Sequence, residues 1–162
     1  MRRLLFYLTL LLAQGVLAVL IAPLPAPDLF LLAVMTLMGR LRPWQLVLVA
    51  YGVGLVQDVM GHGVLGVHAL GLAGAFLAAT FVRAQISQVG VAERLVLVAA
   101  ALAGKWLLFA LMLLWLNESA SILAAFWAVA LPEFLLTLML SPFILQIADA
   151  LVKRPTLAGE TR

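Results

Sequence analysis

The feature that most constrains this chain is a succession of apolar runs of bilayer-crossing length, separated by short polar, glycine-rich or proline-rich breaks. A spanning helix takes about 20 predominantly apolar residues, within a range of about 17 to 25. Residues 4–22, 44–60, 64–82, 95–116 and 122–147 meet or approach that length. Residues 29–39 are equally apolar but number only eleven. They allow either a short crossing in a locally thinned bilayer or a re-entrant segment. Hydrophobic residues make up 66% of the chain and charged residues 10%, where a soluble domain carries roughly 25% charged. No water-soluble fold of 162 residues hides so much apolar surface. The expectation is an all-α, polytopic membrane protein, with a single transmembrane domain over residues 1–152 and a basic tail at 153–162.

Charge placement sets the number and direction of the crossings. With six spans and a cytoplasmic N-terminus, Arg2, Arg3, Arg40, Arg42, Arg83, Arg94, Lys153, Arg154 and Arg162 share one side. The opposite segments, "APLPAPD", "GHG" and "NESAS", hold no Lys or Arg. Were residues 29–39 not to cross, Arg40 and Arg42 would face away from Arg2 and Arg3. The positive-inside rule thus favours a six-transmembrane-helix bundle with both termini cytoplasmic. In this setting the net charge of +3 reports orientation and implies no nucleic-acid partner. The first span also satisfies the pattern of a signal peptide cut after Ala18, but its apolar run continues past that point, which favours retention. With no cysteine, disulfides and thiolate metal sites are excluded.

The stretch "QDVMGHGVLGVH" (57–68) contains a G-x-G-x-x-G spelling from Gly61 to Gly66. A dinucleotide turn must follow a strand, open a helix and precede an acid by about 20 residues. Here the glycines follow a membrane helix on the outer side, and the next acid, Glu93, belongs to the opposite side. Gly63 and Gly66 have a plainer use in turning the chain between two spans. A metal reading of Asp58, His62 and His68 is weak, because Asp58 and His62, four apart, find no third and fourth ligand at zinc spacing. Asp58 itself lies about one turn inside the outer end of its span, beside Gln57, where an acid is expensive. Capping the hairpin or the first turn of the next helix, or contacting a partner, would each account for it. His68 is expected as an interfacial side chain close by.

Lys105 and Glu133 lie near the middle of the fifth and sixth spans. Their similar depth predicts an intramembrane ion pair joining those helices. Pro132 is expected to bend the sixth helix and free carbonyls that Lys105 also reaches, with a second bend or tilt at Pro142. In the fourth span, Ala69/Ala73, Gly71/Ala75 and Gly74/Ala78 form small-xxx-small pairs suited to close helix packing inside the bundle. No G-x-S-x-G, H-E-x-x-H or paired-acid protease motif is present, so no catalytic residue, cofactor or metal is assigned and the chain reads as a non-enzyme.

Six spans in about 160 residues, Pro27-Asp28 opening a short second span, and "GVGLVQDVMGHGVLGVHALGLAGAF" (52–76) together resemble the rod shape-determining MreD family. Asp58, Gly63, Leu65 and Gly66 fall on that family's pattern of an outer aspartate followed by a G-x-L-G-type turn. The resemblance implies an integral scaffold of the bacterial cell-elongation machinery, which builds peptidoglycan and sets rod shape. It implies MreC as a direct partner, with MreB, RodA and a class B penicillin-binding transpeptidase in the same assembly, among membrane lipid. It also implies a fold similar to the substrate-binding subunit of energy-coupling-factor vitamin transporters, and that subunit is the main alternative function. A vitamin-binding subunit needs a polar or aromatic outer cavity, for which the sequence offers chiefly Gln57, Asp58, His62 and His68.

Overall fold

The computed structural model describes residues 2–20, 25–61, 65–86, 90–115, 124 and 126–152. Among these the backbone is helical apart from short connections, and no strand forms. The elements are α1 (Arg2–Leu20), α2 (Leu29–Met35), α3 (Pro43–Gly61), α4 (Val67–Arg83), α5 (Val91–Trp115) and α6 (Leu131–Val152). A π-helical turn, Phe126–Ala130, leads directly into α6.

Two helices are long and apolar enough to cross a membrane, over Ala92–Trp115 and Phe126–Leu151. In both, only 33% of the residues in the most apolar stretch are buried within the chain. The rest of α6 turns Leu135, Met139, Phe143 and Ile147 outward at four-residue spacing. Leu107, Leu111, Leu114 and Trp115 do the same on α5. Such continuous apolar faces suit a lipid surround and would drive aggregation in water.

The centre of the fold is α2. All of its residues but Ala33 are buried, and α1, α3, α5 and α6 each pack against it. Seven residues rise only about 10 Å, a third of the hydrocarbon thickness. The expected helix over 29–39 is therefore cut short at Met35, and turns carry the chain from Thr36 to Leu41. A helix can end at that depth only where neighbours satisfy its orphan backbone groups. Here Leu31 N–H donates to the Asp28 carboxylate (2.8 Å), Leu29 N–H to Gln14 Oε1 of α1 (2.8 Å), and Asp28 N–H to Thr137 Oγ1 of α6 (2.8 Å). Thr36 at the other end donates to the Ala33 carbonyl and pairs with the Tyr7 hydroxyl of α1 at 2.8 Å. The pairings Tyr7–Thr36 and Gln14–Leu29 run antiparallel, so α1 is stitched along the length of α2.

Pro27 and Asp28 stand immediately before α2, Asp28 as its N-cap. Both belong to a segment expected on the outer surface, yet both are buried, Asp28 with 2% of its surface exposed. The extended residues before α2 descend into the bundle because protein, not lipid, surrounds them.

Small residues fix the α3–α4–α5 layer. A Cβ on Gly54 would lie 2.6 Å from Ala69 N and from the His68 carbonyl, so α3 and α4 touch backbone to backbone there. One on Gly104 would lie 2.6 Å from Ala78 Cβ and 2.7 Å from the Gly74 carbonyl. The small residues of α4 are thus used inside the bundle, against α3 and α5. Pro142 sits inside α6 and cannot donate to Leu138, its partner four residues back. Ser141 Oγ donates to that carbonyl instead (2.8 Å), and the helix continues. The π-helical turn ends two residues before Pro132, where the ring forbids a regular bond.

Candidate functional site

Asp58 lies in the last turn of α3, and its carboxylate meets the start of α4. Gly66 occupies the N-cap of α4 with φ +98°, a left-handed conformation glycine adopts freely, and has no side chain with which to cap the helix. Asp58 supplies the missing acceptor from the neighbouring helix. It accepts from Gly66 N–H (2.9 Å), His68 N–H (2.9 Å) and Ala69 N–H (3.2 Å), and from His68 Nδ1–H (2.8 Å). Those backbone donors and the positive end of α4 make this a strong anion position. The His68 ring, held by Asp58, stands edge-on to Phe109 of α5 with centroids 5.6 Å apart. Phe109 fits there because Gly71 is glycine: a Cβ would lie 2.7 Å from the Phe109 ring.

Deeper in the bundle, Lys105 Nζ donates to Glu133 Oε1 and to Asp28 Oδ2, at 2.5 Å and 2.6 Å. Lys105 is 3% exposed. One ammonium therefore joins three elements: α5, α6 and the N-cap of α2. The expected Lys105–Glu133 contact is present, and Asp28 widens it to a triad. Asp28 divides its oxygens, Oδ1 capping α2 through Leu31 and Oδ2 meeting Lys105. The ring of Phe109 lies 5.7 Å from Lys105 Nζ, close enough for a cation–π contact.

The two clusters open on one chamber. His68, Gln57, Lys105, Glu133, Asp28 and Trp106 all line a cavity of about 240 Å³. Two of its polar atoms, Gln57 Oε1 and Trp106 Nε1, are buried without a hydrogen-bond partner among the described residues. Buried polar groups are normally satisfied, so an unpaired acceptor and an unpaired donor on one small cavity mark it as a place for a polar occupant or ordered water. Across the chamber and the hairpin, three carboxylates face one ammonium and one imidazole, which makes the interior acceptor-rich.

Of the residues singled out from the sequence, Asp58, Gln57, His68, Gly66, Lys105, Glu133 and Asp28 converge here, with Pro27 buried next to Asp28. Gly63 and His62 lie outside the described residues. Sequence reasoning placed Asp28 only at the entry to the second span and did not anticipate Gln14, Trp106 and Thr137 as parts of the site. The available signal was depth: Gln14 and Thr137 are polar residues within apolar runs, and such residues turn to the bundle interior. No family model, no curated protein and no solved structure matches this chain.

Proposed function

We propose that the chain is a six-crossing, non-enzymatic scaffold of the bacterial cell-elongation machinery, held in the inner membrane with both termini cytoplasmic. Its direct partner is MreC, through which it links to MreB and to the RodA–transpeptidase synthase. The resemblance over Pro27 to Phe76 supplies the family. One observation in the fold carries the choice of a scaffold over a transporter subunit: the buried polar groups tie helices to one another. Asp58 closes α3 onto α4, and Lys105 closes α5 onto α6 and α2. The chamber left between them, about 240 Å³, is smaller than the roughly 300–1,000 Å³ of small-molecule sites.

The unpartnered Gln57 and Trp106 atoms favour the second reading, a substrate-binding subunit of an energy-coupling-factor transporter, with the chamber as its ligand site. Affinity purification of the tagged chain from its native membranes in a mild detergent separates the two. Co-purification of MreC, RodA and the transpeptidase is the expected result. Recovery of paired ATPases with a coupling subunit would replace the scaffold with the transporter.

A further inference from the structure

A second cavity, larger than the chamber, lies at the other end of the bundle, where basic residues from several elements meet. It measures about 340 Å³ and is bounded by Arg40 after α2, Arg83 at the end of α4, Arg94 near the start of α5, and Asp149 in α6. The sequence places Arg40 in one inter-span segment and Arg83 and Arg94 at the two ends of another, and the fold brings all three onto one cavity.

Its charges are unevenly matched. Asp149 pairs with Arg94 at 2.6 Å and more loosely with Arg40 at 3.8 Å. Glu93 also lines the cavity, so three guanidinium groups face two carboxylates. Arg83 has no carboxylate within ion-pair distance among the described residues. Its guanidinium instead lies against the backbone at Gly39, where a Cβ would be 2.9 Å from Nη2. Gly39 adopts φ +87°, so any other residue there would be strained as well as crowded. The turn after α2 is thus shaped around the Arg83 head group, and that head group borders the cavity.

The cavity floor is apolar, formed by Met35, Leu97 and Leu145 among others. An apolar floor beneath a rim of guanidinium groups, set between helix ends, suits an amphiphile with an anionic head. Guanidinium binds phosphate oxygens in pairs, and the cytoplasmic leaflet supplies anionic phospholipid at high local concentration. We propose that this cavity seats the phosphate head group of an anionic phospholipid of the inner leaflet, with Arg83 as its principal ligand and Arg40 and Arg94 at its rim. The inference rests on the membrane orientation above but not on the identity of the partner proteins.

The test uses the purified full-length chain in a neutral detergent, with bound lipid counted by native mass spectrometry. Phosphatidylglycerol and phosphatidylcholine are offered in equal amounts to the wild type, Arg83→Gln and Arg42→Gln. Arg42 is an exposed basic residue at the same end and does not line the cavity. The wild type is expected to retain phosphatidylglycerol in preference, Arg83→Gln to lose about fivefold of that retention, and Arg42→Gln to keep it. Equal loss in both variants would reduce the effect to diffuse surface charge and overturn the site. Equal retention of the two lipids by the wild type would do the same. Inorganic phosphate provides a further arm: if it displaces phosphatidylglycerol at millimolar concentration, the cavity takes the free anion and the lipid assignment fails. Arg83→Lys keeps the charge without the paired donors and should fall between wild type and Arg83→Gln. A uniform result across all three residues at position 83 would remove Arg83 as a ligand. None of these readouts involves MreC or the synthase, so they fail or succeed separately from the scaffold.

Discussion

Lys105 shows how one residue can organise the interior of a helical bundle. Burying an ammonium is tolerable only where counter-charges and hydrogen bonds meet it, and Asp28 and Glu133 do so from two other elements. Lys105→Met leaves two buried carboxylates facing each other, and the expected loss is ~3–5 kcal/mol of unfolding free energy. Denaturation in mixed micelles measures it; a loss under about 1 kcal/mol would show that the triad is not a latch. The triple replacement Asp28→Asn, Lys105→Met, Glu133→Gln should recover much of that loss, since removing a whole buried ion cluster is far less harmful than orphaning its members. Asp28 also caps α2, so Asp28→Ala should be less stable than Asp28→Asn by ~1 kcal/mol, because asparagine keeps an acceptor for Leu31 N–H. The residue-level site was partly legible in the sequence. Lys105 and Glu133 stand out because charges in apolar runs at equal depth attract a common explanation. Asp28 does not, because "APLPAPD" carries the proline and polarity of a surface loop. Its descent into the bundle depends on four neighbouring helices that a linear reading cannot assemble.

At the level of elements, the helices were readable from run length, and their ends were not. The structure starts α5 at Val91 and carries α6 on to Val152, because charged and polar residues at the ends of a span are tolerated once they reach the interface or a partner such as Asp149. The short α2 is the main departure: apolarity over 29–39 reports burial, and burial here is by protein. Close packing of α3 on α4 gives a sharp contrast between two glycines in one helix. Gly54→Ala would force Cβ onto the Ala69 backbone and should lower stability by ~1–3 kcal/mol. Gly52→Ala meets nothing within 4 Å and should be neutral or slightly stabilising. Thermal unfolding of the two variants decides it; indistinguishable midpoints would contradict the backbone contact. Within α6, Ser141 and Pro142 form a compensating pair. Ser141→Ala strands the Leu138 carbonyl and should cost about 1 kcal/mol. In a Pro142→Ala background the restored N–H meets that carbonyl, and Ser141→Ala should then have almost no effect. A double-mutant cycle reads the coupling directly, and additive losses would show that the serine plays no such part.

For the molecule as a whole, the decisive question is on which side of the membrane each end of the bundle lies. The antiparallel stitching of α1 to α2 puts Tyr7 beside Thr36, so the N-terminal part of α1 lies at the same end as Arg40, Arg83 and Arg94. The Asp58–His68 hairpin lies at the other end of α3 and α4. Six crossings require the extended residues before α2, its seven helical residues and the following turns to carry the chain across together. If they fall short, Arg42 and Gln85, joined through α3 and α4, will both lie on the opposite side from Arg2. The chain contains no cysteine, so single cysteines introduced at Leu65, Arg42 and Gln85, all exposed, report without interference. A membrane-impermeant maleimide applied to intact cells should label Leu65→Cys at once, and should reach Arg42→Cys and Gln85→Cys only after permeabilisation. Labelling of Arg42→Cys alongside Leu65→Cys would show that α3 does not cross and end the six-span topology. Labelling of Arg42→Cys and Gln85→Cys with Leu65→Cys protected is resolved by a further cysteine at Arg2. If Arg2→Cys stays protected, α2 is re-entrant and the six-span topology ends. If it is labelled, the spans stand but are inverted, which would place the acceptor-rich chamber toward the cytoplasm and the arginine-lined cavity toward the outer leaflet. The charge distribution predicts against that inversion, since it would set every basic loop on the translocated side.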